Sequence, residues 1–198
     1  MSVYVAFVAE DSMLTEPHPL NRLAAWLAPK TESTASANII HCELFFPHAQ
    51  DRIQSLHEPA NLRGDAYGIF FHGPVWEFDN KKYSNKHYIF KNLSCTPSQV
   101  DRMKAFLKDQ VGKPFNYLGY ASFLSPCRVS GRIPGMTTRY YCSQLTMEAL
   151  NRGGVFGKDA HGQDLHLPTN VHPAEVFYNL DPYATMTSHP MRHATLKL

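Results

Sequence analysis

The sequence predicts an α+β fold in which an antiparallel sheet packs against helices. Up to Leu93 the chain is dominated by strand-like runs of β-branched and aromatic residues. A capping box at Thr96 then opens a stretch where apolar residues recur at helical spacing. Strands followed by helices, without the strand–helix alternation of a parallel sheet, is the α+β pattern. At 198 residues, 43% hydrophobic and 18% charged, the chain holds enough apolar material for one packed core. Residues 1–198 are therefore read as a single domain. Its core spans about 37–180, preceded by a strand/helix extension at 1–36 and followed by a polar tail at 181–198.

Val3, Tyr4, Val5, Phe7 and Val8 predict a strand from Ser2 to Ala9. Leu20, Leu23, Ala24 and Leu27 sit at helical spacing and end at Pro29, and the polar stretch Thr31 to Ala37 reads as a loop. Asn38 to Phe46 is a clear strand stopped by Pro47, whereas Gln50 to Asp65 carries no pattern and reads as a long loop. Tyr67 to Phe78 is taken as a second strand with a bulge or turn at Gly73-Pro74, and His87 to Leu93 as a third. Thr96-Pro97-Ser98-Gln99 combines a capping box with proline at the first helical position. The helix it opens shows Val100, Met103, Phe106, Leu107 and Val111 on one face and stops at Gly112. Phe115 to Phe123 is an aromatic stretch compatible with a short helix, and Ser125 to Thr138 an irregular loop. Cys142 to Arg152 forms a helix closed by Gly153-Gly154. A last helix begins at Pro173, with Ala174, Val176, Phe177 and Leu180 inward, and the polar residues from Asp181 onward read as a loose tail.

Several function classes are disfavoured at this level. A formal charge of +2, from 19 basic and 17 acidic residues scattered along the chain, provides no field for nucleic acid. No run approaches the ~18 apolar residues of a transmembrane helix, and Met1 to Ala9 lacks the basic start of a signal peptide before meeting Glu10-Asp11. The expected setting is cytoplasmic. Cys42, Cys95, Cys127 and Cys142 form no CxxC pair, so reduced thiols are expected. His161, Asp164, His166 and His172 lie at spacings that metal ligands use, yet no second cluster joins them, and a solvated loop is the plainer reading. No metal and no cofactor is expected.

Chemistry concentrates at Cys142. In Arg139-Tyr140-Tyr141-Cys142-Ser143 the thiol opens a helix, where unpaired amide donors and the positive dipole end favour thiolate. The same amides suit an oxyanion. Position alone fits a small buried apolar residue equally well, so a base is needed. Among eleven histidines, His41 stands out because it interrupts Ile39-Ile40-His41-Cys42-Glu43-Leu44-Phe45-Phe46, a strand otherwise of core type. Period two turns His41 and Glu43 to one face and Cys42 to the other. A base also needs an orienting group. His72, on the next strand, is preferred for that role, with Glu43 as the alternative and Glu77 as a more distant one. Residues two apart on one strand are ~6.5–7 Å apart at the backbone, which rarely lets parallel side chains bond well.

The order of these residues resembles the circularly permuted NlpC-type cysteine hydrolases of the papain-like superfamily. A strand histidine (His41) comes first, then Gly112-Lys113-Pro114-Phe115-Asn116, then Tyr140-Tyr141-Cys142-Ser143 at a helix start, with a closing helix after His172-Pro173. The resemblance covers about residues 37–180. It implies a papain-like core in which the Cys142 helix packs on an antiparallel sheet carrying His41, with a polar third residue from the neighbouring strand. Related enzymes often carry Tyr where this chain has Phe115, which leaves Tyr117 or Tyr140 to contact the oxyanion or substrate. The implied activity is cleavage or transfer at an amide, ester or thioester through an acyl-enzyme, on a small-molecule, peptide or lipid acyl substrate. The alternative is a catalytically inactive binding or structural protein that retains the fold. Oligomeric state is not read from the sequence.

Overall fold

The computed structural model describes residues 1–9, 39–48, 61–84, 88–121 and 138–188. Six strands, β1 (Ser2–Ala9), β2 (Ile39–Pro47), β3 (Asn61–Ile69), β4 (Val75–Ser84), β5 (Ile89–Ser94) and β6 (Ala184–Ser188), form one sheet. Its order is β4-β3-β2-β1-β5-β6, and every pairing is antiparallel. Four helices, α1 (Pro97–Gln110), α2 (Tyr117–Ala121), α3 (Cys142–Gly153) and α4 (Pro173–Asn179), complete the described architecture. It is α+β, an open antiparallel sheet packed against helices.

The two inner strands explain their own composition. Val3, Val5 and Phe7 of β1, with Cys42, Leu44 and Phe46 of β2, join the core shared with Met103, Leu107, Leu145, Ala149 and Val176 of the helices. The alternate residues, Tyr4, Ala6 and Phe45, pack on the opposite face with Leu62, Ala66, Tyr83 and Phe90. Burial on both faces demands a nearly continuous apolar run, and β1 and β2 supply it. Strand β1, which the sequence places in an N-terminal extension, lies between β2 and β5.

Helix α1 opens as its capping box predicts: the Gln99 amide donates to Thr96 Oγ1 at 3.3 Å, and the Thr96 amide to Gln99 Oε1 at 2.8 Å. Arg102 Nη2 and Gln99 Nε2 then donate to the carbonyls of Gly153 and Gly154, at 2.6 and 2.7 Å, tying the start of α1 to the end of α3. Gly153 permits that approach, since a Cβ there would stand 2.7 Å from Met103 Cγ. At α4 the cap is His172, whose Nδ1 accepts from the Ala174 amide at 3.2 Å while Glu175 accepts the His172 amide at 2.7 Å. Ala174, Val176, Phe177 and Leu180 are buried, as their spacing requires.

Four expectations are corrected. Residues 67–78 are not one strand: β3 ends at Ile69, residues 70–74 turn, and β4 begins at Val75. The segment read as loop up to Asp65 already pairs from Asn61, its weak signal reflecting a strand with one buried apolar side chain, Leu62, before Ala66. The tail read as loose contains β6, held against β5, and Asp181 at its approach forms an ion pair with the fully buried Lys91. Val111 is exposed, because α1 has ended before it. The helix expected at 20–27, the loop at 31–37, Cys127 and most of the loop expected at 125–138 lie outside the described residues. No described helix is long and apolar enough to cross a membrane.

Gly64 sits beside a register shift between β3 and β4, and a Cβ there would collide with the Phe46 carbonyl while standing 2.7 Å from the Phe45 ring and Pro47 Cα. Gly64→Ala is expected to cost about 1–3 kcal/mol through forced backbone displacement. A lower urea midpoint at unchanged slope is the expected reading.

Candidate active site

Cys142 is the first residue of α3, and its neighbours hold it in place. The Tyr140 hydroxyl donates to Gln110 Oε1 at 2.9 Å, the Tyr141 hydroxyl to Asn170 Oδ1 at 2.5 Å and the Ser143 hydroxyl to the Val171 carbonyl at 2.5 Å. The Tyr140 amide donates to the Pro114 carbonyl at 3.2 Å, and the Asn116 amide to the Tyr140 carbonyl at 2.7 Å. Thus Gly112–Asn116 and Tyr140–Ser143, separate motifs in the sequence, are bonded to one another. Tyr141, the N-cap, places no side-chain oxygen on the first-turn amides, so those donors face the thiol end of the helix.

His41 reaches this sulfur from β2. The β1–β2 register shifts between Val8 and Ala9, whose partners are His41 and Ile39, so Ile40 is an extra residue in a bulge. A bulge raises local twist and re-aims the side chains beside it. The His41 ring stacks on Phe70 with centroids 4.7 Å apart and planes 21° apart, and His41 and Cys142 lie close enough for each to act on the other's charge. Cys42, the next residue of β2, is fully buried, and its thiol donates to Thr146 Oγ1 of α3 at 3.7 Å. The β2–β3 ladder starts only at Leu44, short of Cys42.

These contacts set the protonation states. The Cys42 hydrogen bond is the largest influence on Cys142; with those from His41 it outweighs burial and holds the thiol well below its ordinary value. Burial alone pushes the His41 imidazolium down, but the bond and charge of Cys142, aided by Glu43, turn the balance upward. His41 and Cys142 are thus shifted in opposite directions. Burial pushes the Cys42 thiol up, so it stays a donor.

The remaining expected site residues divide. Glu43 is fully buried, but its carboxylate accepts from Lys81 Nζ at 2.7 Å on both oxygens. That ammonium lies 4.6 Å from the Phe78 ring centroid, 4.8 Å from Tyr83 and 5.5 Å from Phe70. Gly68 makes room for the carboxylate, since a Cβ there would stand 2.9 Å from Glu43 Oε2. His72 is exposed in the turn after β3 at φ 66°, with its Nδ1 2.9 Å from the Tyr117 hydroxyl. It pairs with Tyr117 because the strand expected to carry it toward His41 has already ended. Glu77 accepts from Tyr67. The His41 Nε2 is buried without a hydrogen-bond partner among the described residues. Stacking on Phe70 therefore does the orienting that a polar third residue was expected to do.

Of the two tyrosines expected near the oxyanion, Tyr140 turns its hydroxyl into the core toward Gln110 and Tyr117 faces His72. Sequence reading overlooked Tyr120 on α2: burial, with the nearby charge of Cys142, pushes its phenol upward. Its position three residues after Tyr117 on one helical turn was the available signal. Among the described residues no three His, Cys, Asp or Glu side chains converge as metal ligands; Asp164 pairs with Lys158 and His172 caps α4.

The Glu43–Lys81 pair leads to a stability test. Lys81→Met strands a buried carboxylate and is expected to cost about 3–5 kcal/mol. Adding Glu43→Gln removes the charge and is expected to recover much of that loss, read as melting temperatures of the three variants. Comparisons of the chain with protein-family models, with curated proteins and with solved structures gave no match, so the reading of this site stands on its own geometry.

Proposed function

We propose that the protein is a cysteine-dependent hydrolase or acyltransferase of permuted papain-like type, with Cys142 as nucleophile and His41 as its base. One observation carries the reading: a buried cysteine at a helix start, beside a histidine a hundred positions away, with their proton affinities shifted in opposite directions. Burial by itself raises a thiol's proton affinity, so a buried cysteine shifted the other way points to a functional site.

The mechanism follows from the residues. The Cys142 proton rests on His41, leaving a thiolate to attack the carbonyl carbon of an amide, ester or thioester. Charge then develops on the carbonyl oxygen, where the first-turn amides of α3 act as donors, with the Tyr120 hydroxyl as a further candidate. As the tetrahedral adduct collapses, the imidazolium gives its proton to the leaving amine, alcohol or thiol, and an acyl-thioester remains on Cys142. Neutral His41 next takes a proton from water or an acceptor, which attacks the thioester and restores the pair. Substrates are small-molecule, peptide or lipid acyl compounds.

A second reading has one observation in its favour. With His41 Nε2 unbonded and Cys142 nearly enclosed at 5% exposure, the chain resembles an inactive binding or structural protein that retains the arrangement without turnover. Reactivity separates the two. Iodoacetamide is expected to label Cys142 ahead of Cys42 and Cys95, with a rate that persists as pH falls from about 8 to about 6, since the sulfur stays deprotonated below the ordinary thiol range. His41→Ala should remove the low-pH labelling. On a panel of fluorogenic amide, ester and thioester substrates, Cys142→Ala should abolish turnover and His41→Ala lower kcat/KM by about 10²–10⁴-fold. Uniform labelling of the cysteines, indifferent to His41, would exclude the enzymatic reading.

A further inference from the structure

We propose that the exposed aromatic side chains beside His41, Phe70 and Trp76, form a substrate subsite that takes an uncharged aromatic group next to the scissile carbonyl. This rests on the reading of Cys142 and His41 as nucleophile and base, and deepens it by naming the class of group that is recognised.

Large apolar side chains left in water are not scattered evenly over the described residues. Phe70, Trp76, Tyr117 and Leu118 all flank the turn at residues 70–74, the last two through the Tyr117–His72 contact. Single exposed apolar residues are ordinary, but a group of them marks an interaction site. Phe70 links this group to the chemistry. Its ring stacks on His41, centroids 4.7 Å apart, and yet is 41% exposed. A row of rings continues from it: Phe78 meets Phe70 edge-on at 6.1 Å, and Trp76, 49% exposed, lies 6.4 Å from Phe78 with planes 32° apart. Strand alternation puts Trp76 and Phe78 on one face of β4. The turn lies close over the indole, since a Cβ at Gly73 would stand 3.2 Å from Trp76 Nε1.

The class of ligand follows from the charges around these rings. Lys81, the ammonium beside Phe70 and Phe78, is held by both oxygens of Glu43 at 2.7 Å, so its charge is already answered. Glu77, between Trp76 and Phe78 in the strand, turns to the other face and accepts from Tyr67. A charged substrate group would lose its water here and gain no counter-ion. A flat uncharged ring instead buries apolar area and makes an offset or edge-on contact with Phe70 or Trp76. A lipid surface is the competing occupant. The stacking of Phe70 on the proposed base favours a group carried by the substrate itself.

Replacing Trp26 by phenylalanine leaves Trp76 as the one indole of the chain. In that background N-acetyl-4-nitrophenylalanine amide is expected to quench the indole saturably. N-acetylphenylalanine amide should displace it about tenfold better than N-acetylglutamate or N-acetylcyclohexylalanine amide. Unsaturable quenching, or equal displacement by the three, would overturn the subsite. So would a blue shift of the indole on phosphatidylcholine vesicles without response to the soluble amides, which would assign the face to a lipid surface. A second arm ties the rings to the sulfur. N-benzyl-2-chloroacetamide should alkylate Cys142 about tenfold faster than 2-chloroacetamide, a ratio that falls toward one in Trp76→Ala and is largely kept in Trp76→Phe. A ratio indifferent to Trp76 overturns the proposal, and the quenching arm stands if the alanine variant does not fold. The small reagent reports separately: Cys142 labelled no faster than Cys95 refutes the nucleophile reading, whereas selective labelling of Cys142 without a gain from the ring refutes only the subsite.

Discussion

Strand β2 meeting the first turn of α3 is the constraint on which the molecule depends. Because β2 is buried on both faces, each of its side chains must be either apolar or satisfied, and three positions are neither simple nor apolar. Cys42 is satisfied by the Thr146 hydroxyl of α3 and Glu43 by one ammonium on β4, while His41 lies against Cys142 and Phe70. Sheet, helix layer and second aromatic cluster are thereby joined at three consecutive residues. The helix layer is fixed in turn by side chains around Cys142 that bond to α1 and to the segment before α4. Under the proposed function, a nucleophile held by that many neighbours would enter reaction already oriented.

The two charged arrangements in β2 are solved differently. Glu43 and Lys81 form a closed pair among Phe70, Phe78 and Tyr83, with both carboxylate oxygens engaged. Cys142 and His41 form a pair with one ring nitrogen still unbonded. The first is saturated and has nothing further to offer a ligand. The second keeps a ring nitrogen free among the described residues, and Phe70 lies between the two pairs, against His41 on one side and near Lys81 on the other.

Local signals in the sequence marked what local physics controls. The Thr96 box, the Gly112 and Gly154 stops and the His172-Pro173 start each act within a turn of chain, and each helix begins and ends there. His41 stood out because a polar residue in an apolar strand demands a partner, and it does lie near Cys142. What escaped depends on distant chain. Strand β6 is an edge strand of Ala-Thr-Met-Thr-Ser, whose identity comes from β5 and not from its own pattern. The role given to His72 assumed an unbroken strand, and the turn at residues 70–74 ended it first. Tyr140 was expected to offer its hydroxyl to substrate, but Gln110, thirty residues away, takes it. Period two placed Cys42 opposite Glu43, as found, but the bulge at Ile40 beside it left no mark in composition.

The position of β1 has a consequence for how the chain comes together. Its two neighbours are β2, the next strand of the sequence, and β5, which begins at residue 89. During synthesis, therefore, β1 through β4 can assemble as a half-sheet whose open border is β1, an apolar strand with unanswered amides and carbonyls. Such a border attracts other chains as readily as its own partner, and it stays open until β5, which begins five residues after β4 ends, has emerged and paired.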